Sequence, residues 1–164
     1  MMLTTSQKGA VAEAKIAAAA LEFGAEVYRP LFEGGRYDLI LGAGAKLLRI
    51  QCKWASRQGD AVVVRCYSAR RTRSGMLNRC YTADEIDAVA VYCRELDRCY
   101  LLPVSLVHGR RMIHLHIGPC RNNQVAGVNS AERYLMTLGA IAQLGERPAG
   151  SREVVGSSPT SSTS

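Results

Sequence analysis

The strongest constraint on the fold comes from two β-type runs that a glycine-rich turn separates. RYDLILG occupies residues 36–42, and KLLRIQCKW, residues 46–54, alternates apolar and polar side chains with a period of two. Such alternation predicts strands with one buried face, and the turn at residues 42–44 predicts that the two strands pair. We therefore expect a sheet with this hairpin as one of its parts.

A helix is predicted before the hairpin, over Ser6–Phe23. Ser6 is a suitable N-cap, alanines dominate the segment, and Gly24 is a suitable stop. Small side chains would let this helix lie close to the sheet. The apolar stripe predicted to face the sheet is Val11, Ala14, Ala18 and Leu21.

The rest of the chain alternates β-rich runs with turns. The runs are AEVYRP, DAVVVRCY, DAVAVYC, RCYLLPV and MIHLHI, with a helix-start signature at Thr82 and a short helix predicted over residues 129–136. Residues 68–79 are predicted to form a loop. This order predicts one α/β (α+β) domain over residues 1–138, a mixed β-sheet flanked by helices. Residues 139–164 end in Ser, Thr, Pro and Gly and are predicted to be a flexible tail.

Charge and composition indicate the class of partner. The formal net charge is +7, which favours a polyanionic partner, above all nucleic acid. From Arg57 to Arg79 the only acid is Asp60. A solvated basic loop is the alternative. The arginines expected to contact DNA are Arg70, Arg71, Arg73 and Arg79.

No apolar run is long enough to span a membrane, and the N-terminal residues do not have the pattern of a secretory signal. The cysteines lie inside apolar or alternating runs and lack zinc-type spacing, which predicts reduced thiols. A cytoplasmic protein with no membrane partner is the resulting expectation.

The residues suited to chemistry lie on the central hairpin. Side chains i and i+2 share one face of a strand, so Gln51 and Lys53 point to one side and Cys52 to the other. Asp38 on the neighbouring strand can converge on them. A carboxylate and an amide oxygen suit Mg²⁺, and Lys53 can stabilise charge that develops on a phosphate. Glu13, on the predicted helix, is the candidate second carboxylate; spacing alone also fits an ordinary solvated strand face.

The order of these residues resembles the PD-(D/E)xK nuclease superfamily. The resemblance rests on Gly9-x-x-x-Glu13, Gly24-x-x-Val27-x-x-Pro30, Asp38 and Gln51-x-Lys53. The segments RCYSARR, YTADEID and YLLPVS are similar to the branch that includes a group I intron homing endonuclease, and the likeness covers residues 6–136. One departure is Tyr37, where the superfamily pattern has a proline.

The resemblance implies the role of each site residue. Asp38 stands at the invariant aspartate, Gln51 at the position of the usual acid, Lys53 at the lysine and Glu13 at the helix glutamate. All four are then catalytic. A Mg²⁺ or Mn²⁺ ion would be held by Asp38, Gln51, Glu13 and the backbone carbonyl of Cys52.

The activity that these observations favour is site-specific cleavage of double-stranded DNA in a homing role. A Holliday-junction-resolvase-like or restriction-type nuclease, a DNA-binding module without catalysis, and an unrelated α+β protein remain the alternatives. Cutting both strands with one site per chain predicts a homo-oligomer, a dimer or tetramer. The tail segments AIAQLGER and VVGSSPTSST resemble a translated tRNA gene, which suggests an intron or mobile element beside such a gene.

Overall fold

The computed structural model describes residues 2–32, 34–118 and 127–146. Its helices are α1 (Thr5–Glu22), α2 (Val104–Val107) and α3 (Leu138–Glu146), with a 3-10 turn at Glu132–Tyr134. Its strands are β1 (Glu26–Tyr28), β2 (Leu39–Ala43), β3 (Lys46–Gln58), β4 (Ala61–Arg65), β5 (Tyr67–Thr72), β6 (Gly75–Cys80), β7 (Ala88–Cys93), β8 (Arg98–Pro103), β9 (Met112–His116) and β10 (Asn129–Ser130). None of the described helices combines the length and apolar character needed to cross a membrane.

The long strand β3 organises the main sheet. It pairs antiparallel with β2, parallel with β7 over residues 50–55, and antiparallel with β4 over residues 56–58. Strands β1 and β8 extend the sheet beyond β2 and β7, and β9 and β10 extend it beyond β4. The predicted mixed sheet with flanking helices is confirmed. Because β3 pairs with three other strands, its residues lie at the centre of the sheet.

The sheet separates two apolar clusters. Along β7, Ala88, Ala90 and Tyr92 contribute to the cluster beneath α1 and α3. Val89, Val91 and Cys93 contribute to the cluster on the other face. All six residues of β7 are buried, as expected for a parallel-paired strand covered on both faces. In β3, Ile50 and Cys52 belong to the α1 side.

Helix α1 differs in detail from its prediction. Its N-cap is Thr4, which forms a capping box with Gln7, and not Ser6. The buried residues are Ala12, Ile16 and Ala20. The predicted stripe of Val11, Ala14, Ala18 and Leu21 was wrong, since Leu21 is 59% exposed. Alanines on every face leave no clear apolar side, so the bulky Ile16 decides which face packs on the sheet. Gly24, with a φ of 79°, follows the helix where the stop was predicted.

The arginine-rich segment is not a loop but a β-hairpin. Strands β5 and β6 pair from Tyr67–Cys80 at the base to Thr72–Gly75 at the tip, as a two-stranded sheet separate from the main one. Every residue from Ala69 to Arg79 is exposed. The hairpin forms through its backbone ladder and its turn, where Gly75 has a φ of 126°. It buries no apolar face, so the alternation that reveals a strand in a sequence is absent.

Two further segments differ from their predictions. Thr82 starts a single turn and not a helix: its carbonyl accepts the N–H groups of Glu85 and Ile86 at 3.1 and 3.2 Å, and the chain enters β7 at Ala88. The helix predicted over residues 129–136 is replaced by β10 and the 3-10 turn.

Helix α3 lies where the flexible tail was predicted to begin. Ile141 is 2% exposed and joins the cluster beneath α1. Gly145 packs so closely on β2 that a Cβ atom there would lie 3.0 Å from the Cβ of Ala43. The expectation of flexibility therefore does not hold for residues 139–146. Residues 147–164 of the predicted tail lie outside the described residues.

Candidate active site

Asp38, just before β2, is bonded to β3 through its carboxylate. Its Oδ2 accepts the backbone N–H of Cys52 at 2.8 Å and also a hydrogen bond from Nε2 of Gln51. The backbone N–H of Asp38 donates to the carbonyl of Ile50 at 2.9 Å. Gln51 is only 9% exposed, and its Nε2 also lies 3.3 Å from the carbonyl oxygen of Cys52. The structure thus brings together the predicted aspartate, amide and backbone carbonyl.

Burial sets the electrostatics of this group. It raises the pKa of Asp38, while the N–H of Cys52, the charge of Lys53 and the amide of Gln51 act in the opposite direction. Burial lowers the pKa of Lys53, and the negative charge of Asp38 opposes that change. Burial also raises the pKa of the Cys52 thiol well above its ordinary value, so this thiol stays protonated at neutral pH. Asp38 and Lys53 each make it easier to bury the other's charge.

Lys53 is half-buried beside the base of the hairpin. Its Nζ donates to the carbonyl oxygen of Tyr67, the first residue of β5, at 3.0 Å. The same ammonium lies 5.2 Å from the centre of the Tyr81 ring. The ammonium is therefore held by a carbonyl and an aromatic ring, within electrostatic reach of Asp38.

Glu13 approaches the group from α1. Its Oε2 forms an ion pair with Nη2 of Arg29 at 2.6 Å, and its side chain is 26% exposed. The charges of Glu13 and Arg29 both act on the Cys52 thiol, and Arg29 also acts on Asp38. The Glu13–Arg29 ion pair therefore lies within electrostatic reach of Cys52, and Arg29 also lies within reach of Asp38.

The donor set suits a hard divalent cation. Its members are the Asp38 carboxylate, the Gln51 amide, the Cys52 carbonyl and the Glu13 carboxylate, all of which offer oxygen. The nitrogen of Gln51 faces Asp38 here. Rotating that amide would turn its oxygen toward the carboxylate. The described residues contain no cluster of three or more His, Cys, Asp or Glu side chains, so a cation here needs the amide and carbonyl as well.

The predicted DNA-contacting arginines all lie on the hairpin. Arg70 and Arg71 are on β5, Arg73 is at the tip, and Arg79 is on β6. All four are exposed. Arg79, which is 63% exposed, also forms an ion pair with Glu85. The hairpin thus presents a basic ribbon attached directly beside Lys53.

Sequence reasoning missed three residues that support the site: Arg36, Tyr81 and Glu85. Their contacts join segments 44 and 49 residues apart, as in the Arg36 bonds to Cys80 and Glu85. No local spacing brings such residues together. The one available signal was that Arg36 lies two residues before Asp38.

Comparison with known proteins identifies the family. The family model described as PD-(D/E)XK endonuclease matches residues 3–137, most of the chain. The chain belongs to the PD-(D/E)XK endonuclease family. This confirms the resemblance predicted from Asp38, Gln51 and Lys53, and it makes the protein a nuclease with DNA as its substrate class. Nucleases of this family generally use divalent metal ions.

A solved structure resembles this PD-(D/E)XK endonuclease over most of its length. It is a bacterial homing endonuclease, I-Ssp6803I, with a TM-score of 0.71 and 25% sequence identity. The alignment covers 87% of this chain and 96% of that one. No curated protein sequence matches the chain. The likeness therefore extends to the whole fold of the endonuclease and not only to its central hairpin.

Proposed function

We propose that the protein is a Mg²⁺- or Mn²⁺-dependent endonuclease that cuts both strands of DNA at a specific site, in the manner of a homing endonuclease. The observation that carries the proposal is that Asp38 is hydrogen-bonded to Gln51 and to the backbone of Cys52, with Lys53 within electrostatic reach of Asp38. The match to the endonuclease family and the likeness to a solved homing endonuclease support phosphodiester cleavage as the reaction of these residues.

The cation would be held by Asp38, Gln51, Glu13 and the carbonyl of Cys52, and when bound it would supply Lewis acidity at the scissile phosphate. Asp38 provides the negative charge of that site, and the N–H of Cys52 fixes its orientation. Lys53 brings a positive charge to the phosphate, where negative charge builds up as water attacks phosphorus and an ester oxygen leaves. Burial of the group strengthens these interactions relative to water.

The hairpin would bind the DNA. A two-stranded ribbon fits the major groove, and the exposed Arg70, Arg71 and Arg73 can reach phosphates or base edges from it. Arg79, nearer the base, is proposed to add a phosphate contact. Since one chain carries one such group of residues, cutting both strands calls for a homo-oligomer, a dimer or tetramer.

The proposed setting is a cytoplasmic enzyme encoded in an intron or mobile element beside a tRNA gene. Support comes from the resemblance of residues 139–164 to a translated tRNA gene. It also comes from the likeness to a solved bacterial homing endonuclease. On this view the codons for residues 139–164 are shared with the neighbouring gene, and residues 139–146 nevertheless pack on the sheet of the nuclease.

The test is cleavage of genomic DNA with Mg²⁺, Mn²⁺, Ca²⁺ or EDTA, with the cut ends mapped by sequencing. We expect cutting at one or very few recurrent sites with Mg²⁺ or Mn²⁺ and none with EDTA. Lys53→Ala should abolish cleavage and preserve binding, because Lys53 acts on the transition state. Lys46→Ala, at the exposed start of the same strand, is the control and should cut normally.

Other outcomes would point to the other candidates. Cutting at many short recurrent sequences would indicate a restriction-type nuclease, and cutting confined to branched DNA would indicate a resolvase. Binding without cutting under every metal would leave a DNA-binding module, and the proposed activity would then be wrong.

A further inference from the structure

Arg36 holds the base of the arginine-bearing hairpin from the side of the candidate active site. Its Nη1 donates to Oγ of Ser68 on β5 at 2.7 Å. Its Nη2 donates to the carbonyl oxygen of Cys80 on β6 at 2.9 Å and pairs with Glu85 at 3.0 Å. One guanidinium therefore binds both strands of the hairpin and the segment that follows them.

Lys53 binds the same end of the hairpin. It donates to the carbonyl of Tyr67, and Tyr67 is the residue paired with Cys80, whose carbonyl accepts from Arg36. The two cations thus hold the two residues of one rung, the first of the ladder. Any displacement of this rung moves both acceptors together.

Tyr81 links the two cations a second time. Its ring is 1% exposed, and it directly follows Cys80. The guanidinium of Arg36 lies 4.6 Å from the ring centre and the ammonium of Lys53 lies 5.2 Å from it. Cations bind favourably to the face of an aromatic ring when water is excluded. Tyr81 is therefore a shared platform that fixes the position of Arg36 relative to Lys53.

Glu85 completes the assembly. It forms ion pairs with Arg36 and with Arg79, which projects from β6. One carboxylate therefore bridges Arg79 on the hairpin and the half-buried Arg36. In addition, Nε of Arg36 is buried without a hydrogen-bond partner among the described residues. A buried donor left unsatisfied opposes folding, and the bonds of Nη1 and Nη2 offset that cost.

We propose that Arg36 is a positioning residue for phosphodiester cleavage: it fixes the base of the DNA-contacting hairpin so that Lys53 is placed correctly when the hairpin lies on DNA. The inference rests on the proposed function for its reaction. The structural claim is that Arg36 and Lys53 are held in fixed relative positions by the Tyr81 ring and by the Tyr67–Cys80 pair. Arg36 acts through Lys53 and touches no reacting atom.

Arg49 provides a matched control. It also pairs with a carboxylate, Asp87, at 3.1 Å, and it binds the carbonyl of Ala83 at 3.2 Å. Its side chain is 33% exposed, compared with 23% for Arg36. Both arginines thus hold the segment of residues 82–87, but the bonds described for Arg49 go to that segment and not to the hairpin.

The experiment compares Arg36→Lys and Arg49→Lys in the full chain. DNA affinity is measured in Ca²⁺, and the cleavage rate is measured in a single turnover with Mg²⁺ at saturating protein. Lysine keeps the charge of Arg36, but its single nitrogen cannot occupy the positions of both Nη1, which binds Ser68, and Nη2, which binds Cys80 and Glu85. We expect Arg36→Lys to slow cleavage by roughly tenfold to a hundredfold, with affinity changed by less than about threefold. Arg49→Lys should change both by less than about threefold.

A cleavage rate for Arg36→Lys equal to that of Arg49→Lys at equal occupancy would overturn the proposal, since Arg36 would then be only structural. If Arg36→Lys does not fold, Ser68→Ala removes one bond of Arg36, together with the 3.3 Å bond that Oγ of Ser68 donates to the carbonyl oxygen of Arg79. That variant should cut about threefold more slowly with unchanged affinity, and an unchanged rate would refute the coupling.

A second readout does not depend on cleavage. The extent to which an amine-specific acylating reagent modifies Lys53 can be measured by mass spectrometry. Arg36→Lys should raise the modification of Lys53 several-fold over wild type, and Arg49→Lys should not. If the wild-type protein cuts no DNA, the proposed function fails, but this labelling still decides whether Arg36 holds Lys53.

Discussion

Asp38 and Gln51 share a hydrogen bond in which the carboxamide nitrogen of Gln51 donates to Oδ2 of Asp38. A neutral amide thus occupies the place where the family pattern has a second acid. The pair can be buried with a single negative charge, which Lys53 partly balances. A carboxylate at residue 51 would put two negative charges in the same buried space.

Asp38→Asn should stabilise the metal-free protein near pH 8 while abolishing cleavage. Burial holds the pKa of folded Asp38 above its ordinary value, so the folded state binds a proton more readily than the unfolded state. The free energy of unfolding then falls as pH rises through that window. The asparagine carbonyl can still accept from Cys52 without the burial cost of a charge.

Melting curves in EDTA from pH 4 to pH 8 check this prediction. The advantage of the variant should be greatest at high pH and should shrink toward the ordinary carboxyl pKa. A gain of 1 kcal/mol corresponds to about 3 °C in melting temperature for a chain of this size. A variant that melts at a lower temperature than wild type at pH 8 would show that burying the charged Asp38 carboxylate does not destabilise the folded protein.

Gln51→Glu should make folding depend on the divalent cation. In EDTA near neutral pH, two carboxylates would face each other and lower the melting temperature relative to wild type. Added Mn²⁺ or Mg²⁺ should raise the melting temperature of the variant more than that of wild type, because an anionic ligand replaces a neutral one. Equal metal-induced shifts in the two proteins would place Gln51 outside the metal site.

Replacing Arg70, Arg71 and Arg73 by Ala should weaken DNA binding and its salt dependence. The logarithmic slope of affinity against salt should fall by roughly one for each phosphate that the hairpin no longer neutralises. The control variant replaces Arg94, Arg98 and Arg133, which are also exposed, so its change in net charge is equal. Equal slopes for the two variants would mean that the hairpin makes no special contact with DNA.

Ile16→Ala and Leu21→Ala test which face of α1 packs on the sheet. Ile16 is fully buried, so truncating it should reduce the free energy of unfolding by about 3 kcal/mol. Leu21 is 59% exposed, so its truncation should change that energy by less than about 0.5 kcal/mol. Urea unfolding of both variants measures the difference. A larger loss for Leu21→Ala than for Ile16→Ala would show that the helix face predicted from the sequence is the one that packs on the sheet.

Truncation after Leu138 should destabilise the protein, whereas truncation after Glu146 should not. The shorter chain lacks Ile141, whose burial contributes about 2 kcal/mol, and it lacks Gly145, which packs on Ala43. Thermal melts of the two truncated chains and the full chain check this. Equal melting temperatures for all three would show that α3 adds nothing to the fold. From its composition we still predict that residues 147–164 are dispensable.

The sequence predicted the parts of the structure that depend on local periodicity. Alternation along residues 46–54 identified β3, and the rule that residues i and i+2 share a face placed Gln51 with Lys53. Prediction from local periodicity failed where contacts with residues distant in sequence decide which side chains are buried. Alanines on every side of α1 hid the face that Ile16 selects, and the amphipathic helix α3 was obscured by the polar residues that follow it.

The hairpin and the support of Lys53 were unpredictable for different reasons. Strands β5 and β6 are held by each other's backbone, so their side chains carry no apolar alternation. Arg36, Tyr81 and Glu85 act through contacts that only the folded chain creates. The role of the half-buried Arg36, two residues before Asp38, is recognisable only once its partners are known.

The parallel pairing of β3 with β7 has a consequence for how the chain folds during synthesis. Gln51 pairs with Val89 and Lys53 with Val91. Strand β3, which carries Gln51 and Lys53, therefore cannot complete its pairing until β7 has been synthesised. Parallel strands cannot be joined by a tight turn, and closing so long a loop slows folding. Until the ribosome has released Cys93, one edge of β3 exposes unpaired peptide groups that other chains can bind. The nascent nuclease is therefore most prone to aggregate in the interval between the emergence of β3 and that of β7 from the ribosome.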